Sequence, residues 1–340
     1  MLNPVLDIGG AEKVLTDIIL SLKTKYSFSV AARKGFYSSL LEKNNIPQFS
    51  LPIYNPSNIY SFFQVYNHVL QLIKSEKPDI VHTHHRALSF MVGLIPFKSF
   101  IHLHTMHCLF NDKKILTRLI KPDHTIAVGE NVFSSIINNF HYPRHKCSVI
   151  RNGIRFGAYK KNYPPKFRKL VCIGRLDEIK GQKYLLQAAA ILKGSHILLE
   201  FIGDGPQKKI LEDETKRLSI TEYVKFSGTC NNIEKVLLNA DILISPSLSE
   251  GLPLVPLEAL SCRVPVIATS VEGNREIIIN HKTGITVPPK DAMAIAEAIL
   301  WAIHHREEMI RYATTGYNFV KNRFSIRRMI HQYDKLYGLC

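Results

Sequence analysis

Short apolar runs alternate with amphipathic stretches along almost the whole chain of 340 residues. The runs have the length of buried strands, and the stretches between them carry apolar residues at helical spacing. Such alternation predicts an α/β fold with parallel strands. Strands are predicted at 28–32, 80–83, 100–103, 124–128 and 147–151, and again at 170–173, 197–202, 224–227, 242–245, 264–269 and 285–287. Helices are predicted at 11–23, 61–75, 130–138, 182–193, 206–218, 233–239, 253–261, 274–280 and 291–304.

The length predicts two domains, because a single hydrophobic core rarely grows to this size. We expect two doubly wound, Rossmann-like domains, at 1–155 and at 169–320. The stretch 156–168 is basic, contains proline and has no periodicity, which is typical of a linker. Two such domains would face a cleft between the carboxyl ends of their sheets, where ligands bind in these folds.

Composition limits the classes of partner and compartment. The longest apolar stretch is too short to cross a bilayer, no signal peptide is recognisable, and six scattered cysteines suit a reducing cytoplasm. The net charge of +16 favours an anionic partner, although it is also compatible with a merely solvated basic surface. No nucleic-acid-binding motif accompanies the charge, so we predict no nucleic acid partner.

The first candidate site follows the predicted strand 170–173. Gly174 lets the chain turn closely past a ligand, and Arg175 then offers a planar fork suited to phosphate oxygens. Lys180 adds a second cation at the start of the next predicted helix, whose N-terminus also favours anions. The alternative is a pair of solvated cations on a surface loop.

The second candidate site follows the strand 242–245. Pro253 suits the first turn of a helix, and the backbone N–H groups beside it would point at a ligand. Those groups belong to Gly251, Leu252 and Leu254. Glu250 and Glu258 flank this turn, and carboxylates are strong acceptors for the hydroxyls of a sugar. The alternative makes Glu250 a helix-dipole residue and Glu258 a surface charge.

Taken in order along the chain, these and other motifs resemble a family-4 retaining glycosyltransferase with the GT-B architecture. The most specific element is the Glu-x7-Glu spacing of Glu250 and Glu258. The remaining matches are Gly9-Gly10-Ala11-Glu12, Pro78-Asp79-Ile80-Val81-His82, Thr105-Met106-His107, Ile126-Ala127-Val128, Asn152-Gly153, Gly174-Arg175 with Lys180-Gly181, Gly203-Asp204-Gly205-Pro206, Val224-Lys225-Phe226-Ser227-Gly228 and the final stretch 325–336. In this family the last helix, here within 321–340, crosses back to the first domain.

The resemblance implies a role for each matched residue. Arg175 and Lys180 would hold the donor diphosphate, Glu250 would accept hydrogen bonds from the donor sugar, and Glu258 would hold the ribose. Backbone around Cys230 would line the base pocket. His107 would reach the donor sugar from the first domain, and the loop at Gly10 would approach the phosphates or the acceptor. The mechanism would be front-face attack with retention of configuration.

We predict no metal and no cofactor, the nucleoside diphosphate sugar being a substrate. The histidines at 82–85 and 102–107 lack the carboxylate spacing of a zinc site, and the chain has no Asp-x-Asp sequence. Charge neutralisation would then fall to Arg175, Lys180 and helix N-termini.

One departure from the family concerns the N-terminus. Only 1–8 precede Gly9, and Asn3, Pro4 and Asp7 interrupt the apolar residues there. We therefore expect the first central strand to be missing or shortened, through a late-assigned start or a truncated gene.

The function predicted is transfer of a sugar from a nucleoside diphosphate sugar to a glycan or lipid-linked acceptor, in cell-envelope polysaccharide or glycolipid synthesis. We expect a cytoplasmic protein, peripheral on the membrane, with a basic stretch at Lys113, Lys114, Arg118 and Lys121 facing anionic lipid. The alternatives are a nucleotide-sugar epimerase of the same fold and a catalytically dead nucleotide- or glycan-binding module. A nicotinamide oxidoreductase is disfavoured, since Gly9-Gly10-Ala11 lacks the Gly-x-Gly-x-x-Gly spacing.

Overall fold

The structure is a computed structural model that describes residues 1–96, 98–109, 114–159 and 161–340, with the side chains of 114–116 left aside. The chain divides into two compact units. Unit 1 comprises Met1–Gly153 together with Arg327–Cys340, and unit 2 comprises Ile154–Ile326.

Unit 1 is built on a parallel sheet of seven strands in the order β3-β2-β1-β4-β5-β6-β7. Its strands are β1 Leu2–Val5, β2 Val30–Arg33, β3 Gln48–Phe49, β4 Ile80–Thr83, β5 Ile101–Met106, β6 His124–Ala127 and β7 Cys147–Val149. Its helices are α1 Gly10–Leu22, α2 Ser38–Lys43, α3 Ile59–Glu76, α4 Arg86–Gly93, α5 Lys114–Leu119 and α6 Glu130–Asn138. A single turn of 3-10 helix covers Arg144–Lys146.

The first strand is present, and it lies at the centre of this sheet. β1 has four residues, as many as β2, β4 and β6, and it pairs with β2 on one side and β4 on the other. Its register shifts between Leu2 and Val5, where Pro4 brings no N–H group to the ladder. Of the two expectations, a missing strand is therefore wrong, because Asn3 and Pro4 hide its apolar pattern, whereas a strand shortened relative to the family stays a prediction. Asn3 is buried and donates to the Val5 carbonyl oxygen (2.7 Å) and to Glu12 Oε1 (3.0 Å).

Unit 2 is built on a parallel sheet of six strands in the order β10-β9-β8-β11-β12-β13. Its strands are β8 Lys169–Ile173, β9 Leu198–Ile202, β10 Val224–Phe226, β11 Ile242–Ser245, β12 Val266–Thr269 and β13 Ile285–Val287. Its helices are α7 Gln182–Ile191, α8 Lys208–Arg217, α9 Ile233–Asn239, α10 Leu254–Ser261, α11 Glu272–Arg275, α12 Ala292–His304 and α13 Arg306–Arg323. Turns of 3-10 helix cover Glu178–Lys180 and Thr221–Tyr223.

Most of the predicted elements are confirmed, with two instructive differences. The helix expected at 274–280 is a short helix at Glu272–Arg275, in which Asn274 Nδ2 donates to the Thr269 carbonyl oxygen (2.9 Å). Helix α13 at Arg306–Arg323, which is rich in charge, was not predicted. Its buried residues Met309, Ala313, Gly316 and Val320 do show helical spacing, and Gly316 allows α13 to pack closely on α10.

The segment 156–168, predicted as a linker, packs on unit 2 where it is described; position 160 lies outside the described residues. Arg306 Nε donates to the Pro164 carbonyl oxygen (2.7 Å), and Lys161 Nζ donates to the Leu238 carbonyl oxygen (2.8 Å) at the end of α9. The segment is therefore held by hydrogen bonds rather than loosely tethered.

The last helix, α14 (Ile326–Tyr337), packs on the sheet of unit 1 and confirms the predicted return of the chain. Its buried residues are Met329, Tyr333 and Tyr337. Tyr337 Oη lies 2.7 Å from His82 Nδ1 in β4, and Tyr333 Oη lies 3.3 Å from Thr105 Oγ1 in β5.

Each sheet has one point at which the strand order reverses. In unit 1 the chain runs from β1 outward to β3 and then returns to the other side of β1 as β4. In unit 2 it runs from β8 to β10 and returns beside β8 as β11. The loops after the two central strands separate at such a point, and the crevice between them is the usual ligand site of a doubly wound sheet.

Candidate functional site

The loop after β8 carries the predicted cations of unit 2. Gly174 has φ +147°, a conformation that L residues rarely adopt, and the space beyond its Cα is open. The Arg175 side chain is 70 % exposed, and its Nε lies 3.6 Å from Asp177 Oδ2. Gln182 Nε2 donates to the Arg175 carbonyl oxygen at 2.8 Å and fixes the backbone of the loop. The guanidinium is thus exposed, while the main chain of Arg175 is held.

The neighbouring loop after β9 lies against this one. A Cβ atom at Gly203 would lie 2.0 Å from the Gly174 carbonyl oxygen, and Gly203 itself has φ +141°. A Cβ at Gly205 would similarly lie 2.3 Å from the Leu176 carbonyl oxygen. These glycines are required because two backbone turns touch there.

The structure brings Lys180 and Glu250 together, although 70 positions separate them in the sequence. Lys180 Nζ donates to Glu250 Oε1 at 2.7 Å, and Ser247 Oγ donates to the same oxygen at 2.6 Å. The Glu250 side chain is 10 % exposed and that of Lys180 is 31 % exposed. The pair thus lies at the carboxyl ends of β8 and β11, at the point where the strand order of unit 2 reverses.

Two backbone contacts hold the loops that carry this pair. Leu248 N donates to the Ile179 carbonyl oxygen at 2.7 Å. Gly181 has φ +65°, and a Cβ there would lie 2.1 Å from the Pro246 carbonyl oxygen. Any other residue at Gly181 would push the two loops apart and lengthen the Lys180–Glu250 contact.

The turn at 251–253 offers backbone rather than side chains. Leu252 and Leu254 are buried, so only their main chain can face a ligand. Pro253 is the residue that precedes α10, one position earlier than predicted, and the helix itself begins at Leu254. A Cβ at Gly273 would lie 2.5 Å from the Gly251 carbonyl oxygen, so the start of α11 supports this turn from behind. The first N–H groups of α10 remain outside the helical hydrogen-bond ladder.

Glu258 and Cys230 lie on other elements than the Lys180–Glu250 pair. Glu258 is in α10 and is 5 % exposed, among the buried residues 257 and 259–261. A surface charge is therefore wrong for Glu258. Cys230 follows β10, its Sγ lies 3.3 Å from the amide nitrogen of Asn232, and β9 separates β10 from β8. Two strand spacings correspond to roughly 10 Å, so Cys230 does not join the Lys180–Glu250 pair.

In unit 1 the predicted residue His107 follows β5 directly. Its Nε2 lies 2.9 Å from Nδ1 of His84, which follows β4, and the two rings are stacked with centroids 5.2 Å apart. His84 is buried, whereas His107 is partly exposed. Burial lowers the pKa of both rings, with neighbouring histidines adding to the effect. His84 was considered above only as part of a possible zinc site, and its bond to His107 was not predicted.

The pleat of the sheet sorts the buried histidines onto two faces. His82, His84, Thr105 and His107 share one face, with Tyr333 and Tyr337 of α14. On the other face, His102 Nε2 lies 3.2 Å from Ser89 Oγ, and His104 Nδ1 lies 3.1 Å from the Thr83 carbonyl oxygen. Within the described parts of the chain, no three His, Cys, Asp or Glu residues are grouped as metal ligands.

Gly10 begins α1, immediately after the loop that leaves β1. Gly9 is extended, and a Cβ there would lie 2.2 Å from Glu12 Oε2. The N-terminus of α1 therefore stands at the point where the strand order of unit 1 reverses.

The structure describes only part of the basic stretch that is predicted to meet lipid. Lys113 and the side chain of Lys114 lie outside the described residues. Arg118 donates through Nη2 to the Asn139 carbonyl oxygen at 3.1 Å, and Lys121 is exposed. No helix of the described chain is both long and apolar enough to span a membrane.

Two doubly wound units, each with candidate ligand residues at its reversal point, define the class of two-domain α/β proteins that bind ligands at strand ends. Comparison with known families agrees with this class. Residues 8–156 match the family described as Glycosyltransferase Family 4, and residues 158–319 match the family described as Glycosyl transferases group 1. The chain belongs to this glycosyltransferase family.

Individual relatives share about a third of their residues with this chain, over about half of its length. The chain is 35 % identical over 203 residues to TuaC of Bacillus subtilis, covering 55 % of this chain and 50 % of the relative. It is 31 % identical over 188 residues to MJ1607 of Methanocaldococcus jannaschii, named an uncharacterized glycosyltransferase, covering 50 % and 48 %. The chain thus spans about half the length of these relatives. The crystal structure of Anabaena Alr3699/HepE superimposes with a TM-score of 0.87 at 21 % identity, covering 100 % of this chain and 98 % of that one. This likeness confirms the predicted GT-B fold.

Proposed function

We propose that the protein transfers a glycosyl group from a nucleoside diphosphate sugar to a hydroxyl group of a glycan or lipid-linked acceptor. The observation that carries the proposal is the Lys180–Glu250 contact at the reversal point of the second sheet. Lys180 would supply a cation for phosphate and Glu250 a carboxylate for sugar hydroxyls, and their contact holds both side chains in place.

In this proposal the cations of unit 2 bind the diphosphate. The Arg175 side chain is 70 % exposed, and Lys180 Nζ is held 2.7 Å from Glu250 Oε1. When the bond between the anomeric carbon and the phosphate oxygen breaks, its electron pair goes to the phosphate. Both cations would then stabilise the growing negative charge, which is the role that a metal has in other transferases. We propose that no metal or cofactor is required.

Glu250 is proposed to accept hydrogen bonds from the donor sugar rather than to attack it. Lys180 and Ser247 both donate to its Oε1, an arrangement that holds the carboxylate in place. Without a carboxylate nucleophile, the incoming hydroxyl attacks on the face of the departing phosphate, which accepts the hydroxyl proton. One C–O bond breaks and one forms on the same face, so the configuration is retained.

Glu258 and the turn at 251–254 are proposed to bind the ribose and the phosphates. Glu258 is buried in α10, and the backbone N–H groups of Gly251 and Leu252 lie just before that helix. Cys230 is proposed to stand near the base, because its roughly 10 Å offset from the pair corresponds to the reach of a nucleotide. Gly10 and His107 remain the proposed contacts of unit 1 with donor or acceptor.

Two names support the substrate class. Alr3699/HepE has been crystallised in complex with UDP-glucose, and the name of TuaC places it in teichuronic acid biosynthesis. We propose by analogy a nucleotide-sugar donor and a role in cell-envelope polysaccharide or glycolipid synthesis. The net charge of +16 supports contact with an anionic membrane surface, and we propose that the protein is cytoplasmic and peripheral there. Cosedimentation with acidic liposomes at low salt tests this, and no binding there would contradict it.

The function is tested by release of nucleoside diphosphate from UDP-, GDP- and ADP-sugars, with and without added glycan. Lys180→Ala and Glu250→Ala are each expected to lower turnover about 10²–10³-fold, as the loss of one preorganised charged group typically does. Lys209→Ala removes an exposed lysine of unit 2 and is the matched control. The added chelator EDTA should leave the rate unchanged.

Three other outcomes of this test would contradict the proposal, in whole or in part. Conversion of the donor to an epimer, without transfer, would replace the proposal by the epimerase alternative. Nucleotide binding with no turnover, by a folded protein, would indicate a dead binding module. An inverted anomeric configuration in the product, read by NMR, would contradict the retaining mechanism alone.

A further inference from the structure

The contact between His84 and His107 has a consequence for the chemistry of His107. His107 Nε2 lies 2.9 Å from His84 Nδ1, and no residue in the described chain bonds to His107 Nδ1. His107 is partly exposed, so Nδ1 is the ring nitrogen left to meet a substrate. Whether Nδ1 donates or accepts depends on which nitrogen carries the proton.

His84 is held rigidly enough to decide this. Its backbone N–H donates to the Leu2 carbonyl oxygen of β1 at 3.0 Å. Its ring lies against the rings of His82 and His107, with centroids 4.3 Å and 5.2 Å away. His82 in turn is fixed at both nitrogens, 2.7 Å from Tyr337 Oη and 2.7 Å from Thr105 Oγ1. The orientation of His84 is therefore set by the sheet and not by the ligand.

The surroundings of His84 Nε2 decide which ring nitrogen of neutral His84 carries the proton. Nε2 of His84 is buried and has no hydrogen-bond partner among the residues that the structure describes. A proton on Nε2 would leave a buried N–H donor unpaired, which proteins avoid more strongly than an unpaired acceptor. The proton of neutral His84 is thus favoured on Nδ1, from which it is donated to His107 Nε2.

We propose that His84 is a positioning residue that holds His107 in the Nδ1–H form, so that His107 donates a hydrogen bond to a substrate oxygen and does not act as a general base. Its Nε2 lone pair is engaged by His84, and its Nδ1 already carries a proton. The identity of the substrate rests on the proposed function, whereas the position of the proton does not.

The direct test is NMR of the full chain with ¹⁵N-labelled histidine side chains, at about pH 8, where imidazoles are neutral. Long-range ¹H–¹⁵N correlations separate protonated from bare ring nitrogens. Loss of signals in His107→Gln and His84→Gln assigns the two rings among the 15 histidines. A proton on His107 Nδ1 is expected in the wild type. A proton on Nε2 of His107 in the wild type, or averaging between the two nitrogens, would overturn the inference.

A matched pair of amides separates positioning from packing. The amide nitrogen of Asn stands near the Nδ1 position of histidine, and that of Gln stands nearer Nε2. His84→Asn should keep His107 in the Nδ1–H form, whereas His84→Gln should release it. The exposed residue His331, changed to Gln, is the control.

Kinetics provide the second readout. His84→Gln should lower kcat about tenfold, the effect of one lost hydrogen bond, while His84→Asn stays within about twofold of the wild type. His107→Asn should likewise retain more activity than His107→Gln. Equal losses in the two His84 variants would show a merely structural role. A protein without turnover would contradict the proposed function and still leave the NMR result decisive.

Discussion

Lowering the pH should unfold unit 1 before unit 2. Four histidines of the first sheet, His82, His84, His102 and His104, are at most 5 % exposed. Burial lowers the pKa of His102 to about 2 and that of His104 to about 4, and it lowers the pKa of His82 and His84 well below the usual value. All four therefore remain neutral in the folded protein at mildly acidic pH.

The sign of the effect follows from proton uptake. In the unfolded chain each histidine regains a pKa near 6.5 and binds a proton below it, so the unfolded state binds more protons than the folded state. Unit 1 keeps its full free energy of unfolding above about pH 7.5. That free energy falls as the pH drops through 6.5 toward the pKa values of the folded state. At about pH 5.5 each neutral histidine costs about 1.4 kcal/mol, and four cost roughly 5–6 kcal/mol. Domains have only about 5–15 kcal/mol in total.

Unit 2 should lack this sensitivity, because all of its histidines are exposed: His196, His281, His304 and His305. The one tryptophan of the chain, Trp301, lies in α12 of unit 2 and reports that unit alone. Hydrogen exchange of peptides from β4 and β5, corrected for its intrinsic pH dependence, reports unit 1. Urea titrations are run at about pH 8 and about pH 5.5. Between the two, the hydrogen-exchange protection of β4 and β5 should fall strongly, whereas the urea midpoint of the transition followed by Trp301 fluorescence should change little.

A matched variant measures how much a single histidine contributes to the pH dependence of unit 1. His104→Asn retains a donor near the Nδ1 position, which faces the Thr83 carbonyl oxygen, and should reduce the pH dependence of unit 1 by about one proton. The exposed His331→Asn should leave it unchanged. The same unit 1 stability at both pH values, or an equal loss in unit 2, would refute the reasoning.

Two further predictions concern the stability of unit 2, measured by urea titration of Trp301 fluorescence. Gly203→Ala should cost at least about 2 kcal/mol, because its Cβ would lie 2.0 Å from the Gly174 carbonyl oxygen at φ +141°. Gly194→Ala, also at positive φ but with open space around it, should cost less, and equal costs would contradict the steric argument. Asp241→Asn should cost about 1.5–3 kcal/mol, because Oδ2 of buried Asp241 accepts two backbone N–H groups at 2.8 and 2.7 Å. A loss below about 0.5 kcal/mol would show that charge adds nothing to those bonds.

Local sequence predicted many of the elements, although α4 at Arg86–Gly93, within the longest apolar stretch of the chain, was not predicted. The strand at Ile242–Ser245 and the helices at Glu130–Asn138 and Ile233–Asn239 were predicted to the residue. β1 was missed because Asn3 and Pro4 interrupt its pattern, although neighbours on both sides hold it in the sheet. Its existence is decided by pairing, which no single segment displays.

The candidate site shows the same division. That Arg175 and Lys180 follow one strand and Glu250 another could be read from the chain, since both strands end in polar, glycine-containing loops. The Lys180–Glu250 bond could not, because it depends on β11 lying beside β8 rather than beside β10. Strand order is a property of the whole sheet.

The alternation of strands and helices, the two-unit organisation and the residue types at the strand ends can all be read from the chain. Which of these residues meet is a property of the folded sheets: Lys180 with Glu250, and His84 with His107. Hydrophobic periodicity is local, whereas a side-chain hydrogen bond requires register between strands distant in the chain. His84 and His107 are 23 positions apart, and the pairing of β4 with β5 alone places them on one face.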